Sequence, residues 1–193
     1  MHEDGIWLER LRQGDQSAFE QLYTKYSALL FRAVVAITRD HAAAEEILQE
    51  SFVRLYRHAA RLDRARPVLP WLHRVAINLS YNWVMRDRLR FISLDHLVER
   101  WKVRLTHKVE IEKECEAREQ HDVIHAAIAR LDFDQRVVIV LFYLQGLSLA
   151  EIAETLNVPV GTAKSRLHYA RKSLEQLLLA DARFNREVAY EPL

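Results

Sequence analysis

The chain has 193 residues, half of them hydrophobic, with 28 basic against 27 acidic side chains and a net charge of +1. That length allows one large or two small domains with a real core, and the charge balance excludes a globally basic nucleic-acid coat, so any such signal must be local. The single cysteine, Cys115, excludes an internal disulfide, the polar start MHEDGIWLER does not read as a signal peptide, and no apolar run approaches the roughly 20 residues of a membrane span.

A cytoplasmic protein is therefore expected. With four glycines and four prolines, long helices joined by short connections are expected too. The first predicted helix runs from Ser17 to Thr38, with Ser17 and Glu20 at capping-box spacing. Phe19, Leu22, Tyr23, Tyr26, Leu29, Leu30 and Val34 recur at helical intervals along it. A second helix is predicted over Ala42–Leu62. Ile47, Leu48, Phe52, Leu55, Tyr56 and Ala59 form its apolar face, and Glu45, Glu46, Gln49, Glu50 and Arg54 its polar one. The break RLDRARPVLP follows, and Pro70 suits the first turn of a third helix over Trp71–Arg90, which ends in Arg86, Arg88 and Arg90. From Phe91 to Glu119 the periodicity fades. Glu110, Glu112, Glu114, Glu116 and Glu119 make that stretch read equally well as a linker or as a solvated helical face.

A second domain is predicted to begin near Arg118. Val123, Ile124, Ala127, Ile128 and Leu131 share one helical face. Asp134 is placed to cap QRVVIVLFYLQG, whose apolar character suits the centre of a core, and Gly146 ends it. Ser148 and Glu151 have capping-box spacing at the head of SLAEIAETL. Asn157 falls where a left-handed residue would end that helix, and Pro159 blocks its propagation. A second helix then starts at Gly161 or Thr162. This is helix-turn-helix order. Leu149, Ile152, Ala153 and Leu156 face inward from the first helix, and Ala163, Leu167, Ala170 and Leu174 from the second. The outer face carries Thr162, Lys164, Ser165, Arg166, His168, Tyr169, Arg171 and Lys172, with no acid until Glu175. Such a face suits phosphates and base edges in a major groove. A basic surface helix on a bundle is the plainer reading, but the complete capped motif favours DNA.

The run from Gly146 to Leu174, with VPVGTAKSRLHYARKSL its most specific part, closely resembles the C-terminal DNA-binding region of bacterial extracytoplasmic-function (ECF, group IV) sigma factors of the sigma-70 family. AEEILQESFVRLYRH resembles that family's polymerase-binding helix, and PWLHRVAINLSYNWVMRDRLR its promoter-melting helix. The resemblance implies an all-α chain of two small helical domains joined by a linker. A sigma-two domain would span residues 1–92, an acidic linker 93–118, a sigma-four helix-turn-helix domain 119–181 and a tail 182–193. Core RNA polymerase would dock on Glu45, Glu46, Gln49 and Glu50. Arg64, Arg66, Arg74, Asn78, Asn82, Arg86, Arg88 and Arg90 would recognise and hold the melted minus-10 element, the loop at Asp63–Pro70 capturing a flipped base. Thr162, Lys164, Ser165, Arg166, His168, Tyr169 and Arg171 would read the minus-35 duplex. No cofactor and no catalysis of its own are implied. An anti-sigma partner is a class expectation. The sequence departs from the family pattern at Ala43, Asn82 and Tyr169, where an acid, an Asp and an Arg are usual.

Two rival classes fit parts of the chain. An autonomous, dimeric helix-turn-helix regulator accounts for the C-terminal motif but not for the polymerase-helix-like segment or the Arg-rich third helix. A metal protein could use His121, His125 and Cys115, but no second Cys or carboxylate cluster completes a ligand spacing. Trp71 begins an apolar stripe with Val75 and Leu79 and reads as core, whereas for Trp83 core and base platform both stay open.

Overall fold

The computed structural model describes residues 3–91 and 115–181, and among these the chain forms helices and no strand. The first half contains α1 (Glu3–Arg12), α2 (Gln16–Thr38), α3 (His41–His58) and α4 (Leu69–Phe91). The second contains α5 (Cys115–Arg130), α6 (Phe133–Ile139), α7 (Leu149–Leu156) and α8 (Val160–Leu179). The all-helical, two-domain architecture expected from the sequence is the one observed. The tail from 182 and most of the predicted acidic linker lie outside the described residues, and α5 begins at Cys115, inside the segment read as linker.

Local chemistry explains where the helices start and stop. Asp15, not Ser17, caps α2, its carboxylate accepting from the Ser17 amide and hydroxyl at 2.9 and 2.8 Å. The predicted Ser17–Glu20 box is therefore corrected: Asp15 starts the helix two residues earlier, so Ser17 lies inside the first turn and donates to the cap, and the acid carries full charge at the positive helix end. Asp40 caps α3 through the Ala43 amide at 2.9 Å. Asp134 lies in the first turn of α6, and the N-cap position belongs to Asp132. Tyr56, read from its spacing as inward-facing, is 57% exposed, and Tyr23 and Ile124 are also exposed. Each lies at the margin of its helix's apolar arc. α1 was not predicted; Leu8 and Leu11 bury it against the first core.

That first core gathers Leu22, Leu30, Phe52, Leu55 and Leu72, all essentially inaccessible. The second is built from Val137, Val138, Ile139, Val140 and Leu141 with Ile152, Ala163, Leu167 and Ala170. Ala33 and Ile37 of α2 and Ile77 of α4 belong to the second cluster, so the halves share a core. Polar contacts accompany the apolar ones. Arg136 is buried, and its guanidinium donates to the Ile37 carbonyl at 2.7 Å and to those of Leu131 and Ala129 at 2.8 and 3.1 Å.

After Ile139 the helix widens into a π turn over Val140–Leu144, closed by the Gln145 amide on the Val140 carbonyl at 3.1 Å. This extra residue swings Gln145 toward the first domain. Its carboxamide donates to the Leu29 carbonyl at 3.3 Å, and its oxygen lies 3.1 Å from His73 Nε2. His73 is 1% exposed, and its Nδ1 meets no partner among the described residues. Burial pushes the His73 imidazole below its ordinary value, and the Gln145 contact only partly opposes this. The unfolded chain takes up a proton there near pH 6.5 and the fold does not, so stability falls as pH drops through that range. Thermal melting between about pH 7.5 and 5.5 is expected to show this fall in the wild type and a flatter profile in His73→Gln. Equal slopes would show that His73 does not carry the effect.

Candidate nucleic-acid interface

The helix-turn-helix is set by short-range chemistry. Ser148 and Glu151 form a complete capping box: the Ser148 amide and hydroxyl donate to the Glu151 carboxylate at 2.8 and 2.7 Å, and the Glu151 amide returns to Ser148 Oγ at 3.3 Å. These bonds hold the Glu151 carboxyl below its ordinary range. Gly146, at φ 68°, ends the preceding turn, and Asn157, at φ 55°, ends α7 in the left-handed conformation. Pro159 is the N-cap of α8, which starts at Val160, just before the predicted Gly161 or Thr162. Ala163, Leu167 and Ala170 are buried beneath α8, and Leu174 packs against the same cluster.

The opposite face of α8 is open to solvent. Lys164, Ser165, His168, Tyr169, Arg171 and Lys172 are exposed, Tyr169 at 61%. Thr162 is half-buried and lines a shallow hollow with Gly161, Ser165 and Tyr169 at the helix start. Ser165 Oγ donates back to the Gly161 carbonyl at 2.9 Å, and the His168 and Tyr169 rings meet edge-on at 5.4 Å. Two predicted readers are otherwise engaged. Arg166 pairs with Asp134 at 3.1 Å, and Arg171 lies over the Phe142 and Tyr143 rings at 5.1 and 5.4 Å. Both interactions are partly exposed, where such pairs are worth little and exchange readily for a phosphate.

On the first domain, Arg74, Asn78, Asn82 and Arg86 follow at four-residue spacing and form one exposed stripe along α4. Only the backbone of Arg88 and Arg90 is described, in the last turn of that helix. The loop before α4 presents Arg64 and Arg66, both exposed. Trp71 and Trp83 are partly buried against the first core; the Trp71 ring lies 6.1 Å from His58. The arginines nearest the loop already hold acceptors. Arg64 pairs with Glu9 at 2.7 Å, Arg66 with Asp63 at 3.7 Å and Glu154 at 3.0 Å. Arg74 donates to the Thr155 carbonyl at 3.1 Å and to the Glu154 carbonyl. The negative end of α7 thus sits on the same arginines that a phosphate would seek.

On α3, Glu45, Glu46 and Gln49 are exposed, and Glu50 is half-buried and paired with Arg54 at 2.7 Å. Val53 and Tyr56, 40% and 57% exposed, continue this face with apolar surface that the sequence reading did not assign to it. The anchors of the loop before α4 were also missed; they come from α1, whose polar start masked its short apolar repeat at Trp7, Leu8 and Leu11.

Two distinct helical modules on one chain, one presenting a capped recognition helix and the other an Arg-Asn stripe beside a basic loop, define a promoter-specificity factor. Residues 22–90 match the family model for sigma-70 region 2, and residues 121–174 that for sigma-70 region 4. The chain is 31% identical over 181 residues to the ECF RNA polymerase sigma factor SigW of Bacillus subtilis, covering 89% of this chain and 94% of that one. It is 34% identical over 158 residues to the ECF sigma factor SigL of Mycobacterium tuberculosis, covering 81% and 86%. Among solved structures it is similar to CnrH in complex with the cytosolic domain of CnrY, with a TM-score of 0.68 and 26% identity, covering 93% of this chain and 99% of that one. The chain belongs to the ECF sigma factors of the sigma-70 family: it binds RNA polymerase and promoter DNA and directs transcription initiation. Among the described residues no helix is long and apolar enough to cross a membrane.

Proposed function

We propose that the chain is a group IV sigma factor that reads the minus-35 element as duplex with α8 and holds the melted minus-10 element on the α4 stripe and the loop before it. The readers of the upstream element are Thr162, Lys164, Ser165, Arg166, His168, Tyr169 and Arg171. Those of the downstream element are Arg64, Arg66, Arg74, Asn78, Asn82, Arg86, Arg88 and Arg90. Glu45, Glu46, Gln49 and Glu50 dock core polymerase. The units are residues 1–92 and 119–181, with an acidic linker at 93–118 and a tail at 182–193. The chain works in the cytoplasm and has no catalysis of its own, the polymerase supplying the chemistry. Its reading carries a cost in stacking of about 1.4 kcal/mol per opened base-pair step, which captured bases offset at roughly 1–3 kcal/mol each.

One observation carries this reading: a largely exposed face of donors on α8, opposite a face locked into the core and next to a turn fixed by the Ser148–Glu151 box. The acceptors now on Arg66 and Arg74 support it from the other side, because those guanidinium groups already face a carboxylate and helix-end carbonyls, whose places a phosphate can take. Promoter engagement exchanges the α7 carbonyls for DNA phosphates and so separates α7 from α4. An anti-sigma partner also fits the family.

Run-off transcription with core polymerase and a pool of random promoters tests the assignment and yields both elements. Specific duplex binding by the chain alone, with no stimulation of core enzyme, would favour an autonomous regulator instead. Lys164→Ala is expected to lose about 1–3 kcal/mol of discrimination at one upstream position, because a side chain near the helix start contacts base edges. An unchanged ratio of affinities for specific and random DNA removes Lys164 from the readers.

A further inference from the structure

The matched sigma-70 region 2 begins at residue 22, so α1 lies outside it. Yet α1 makes the contacts that define the loop between α3 and α4. Asp4 is fully buried, and its carboxylate accepts from the Val68 backbone amide at 2.8 Å, at the end of that loop. Tyr26 donates to both Asp4 oxygens at 2.8 and 2.7 Å, and Lys25 reaches the carboxylate at 2.9 Å. Burial alone would push the Asp4 carboxyl up. The Val68 amide, the Tyr26 hydroxyl and the Lys25 ammonium outweigh it and hold the group ionised below its ordinary range. At the other end of α1, Arg12 donates to the Ala59 and Leu62 carbonyls at 3.0 and 2.6 Å, where the loop begins.

Between these two anchors lies Gly5. A Cβ there would stand 2.3 Å from the Arg64 carbonyl oxygen, a backbone atom that cannot swing aside. Glycine inside a helix is less favourable than alanine, so its place here is explained by the close approach of the loop backbone. Inside the loop, the Asp63 carboxylate accepts from the Ala65 amide at 2.9 Å and tightens the turn that presents Arg64 and Arg66. The loop also borders a cavity of about 410 Å³, lined in part by Arg61, Asp63, Pro67, Trp71 and Arg74.

We propose that α1 is the positioning element of the minus-10 reader: Asp4 and Arg12 tie down the two ends of the loop, and Gly5 lets its backbone pass close enough to set where Arg64 and Arg66 point. This rests on the assignment of the loop to the minus-10 element. None of the three residues need touch DNA. Their effect passes through the loop, and it should fall on downstream discrimination alone.

The test uses the full chain assembled with core polymerase on a promoter recovered from the random pool. Transcription is compared between that promoter and versions with one changed base in the minus-10 or in the minus-35 element. Gly5→Ala is expected to reduce the minus-10 discrimination ratio roughly tenfold or more, since displacement of a reading group by about 1 Å is that costly. Arg12→Ala should reduce it about threefold, one end of the loop remaining held. Both should leave the minus-35 ratio within about twofold of the wild type, a selectivity that general destabilisation cannot produce. Thermal melting accompanies each variant; if Gly5→Ala does not fold, Arg12→Ala decides by the same criteria. An unchanged minus-10 ratio, or equal losses at both elements, overturns the proposal and leaves the loop assignment standing. A wild type without minus-10 preference overturns the assignment and this inference together.

Discussion

The Glu46→Lys, Glu50→Lys double variant is expected to bind core polymerase at least about 100-fold more weakly than the wild type, a loss near 2.7 kcal/mol. Both positions lie on one face of α3, whose other side is fixed in the first core by Ile47, Leu48, Phe52 and Leu55. A partner that fits this acidic-polar face presents basic or amide groups, and like charges placed against them cost several kcal/mol. Folding should survive. Glu46 is exposed, and the Glu50–Arg54 pair is about 41% exposed on each side, so its loss costs only tenths of a kcal/mol. Competition against labelled wild-type chain for core enzyme measures the effect, with melting temperature as control. Affinity within about threefold of wild type would show that polymerase docks elsewhere on the chain. Val53 and Tyr56 beside the charged residues are exposed and would give a docked partner apolar area to bury.

Arg136→Ala should cost about 1.5–3 kcal/mol of stability, the range for hydrogen bonds made by a charged group to acceptors that are left buried. Its guanidinium is the shared donor for the carbonyls of Ile37, Ala129 and Leu131, of which Ala129 also accepts from Arg39 at 3.1 Å. The loss should also uncouple the halves, because the Ile37 contact crosses from the second domain to α2. A single cooperative urea transition in the wild type should resolve into two in the variant. Arg136→Lys is expected to recover only part of the loss, since a point ammonium lacks the fork that spans three acceptors. A loss below about 1 kcal/mol would mean that water or neighbouring groups satisfy those carbonyls without Arg136.

The readings that survived contact with the structure were the local ones. The Ser148–Glu151 box, the left-handed Asn157, the helix-ending Gly146 and Pro70 in the first turn of α4 all act within one helical turn. A few residues contain everything that decides them. The readings that changed were decided by competition or by distance. Asp15 displaced Ser17 as cap because the helix starts two residues earlier, at Gln16, which puts Ser17 inside the first turn as a donor to the Asp15 carboxylate. Tyr56 and Tyr23 sit at the edge of an apolar arc, where helical spacing permits either side and the shape of neighbouring helices chooses. α1 has too few apolar residues to announce itself. What holds it is the Asp4 network, whose partners Lys25, Tyr26 and Val68 are up to 64 positions away.

For the candidate interface the same division holds. Which face of α8 is free for DNA was legible, because small and apolar residues at positions 163, 167 and 170 demand burial and leave the basic residues outside. That Arg66 and Arg74 already grip the end of α7 was not, since the contact joins residues about 80 to 88 positions apart. By itself the sequence determined seven of the eight described helices, the ends set by Ser148, Gly146 and Asn157, and the centre of each apolar face, all of which depend on neighbours within a turn or two. Only the tertiary structure decided that Ala33, Ile37 and Ile77 complete the second core, that α1 anchors the loop, and that Gln145 and Arg136 join the two halves. Those outcomes depend on which surfaces meet, and hydrophobic burial, being non-directional, does not encode its partner in any local pattern.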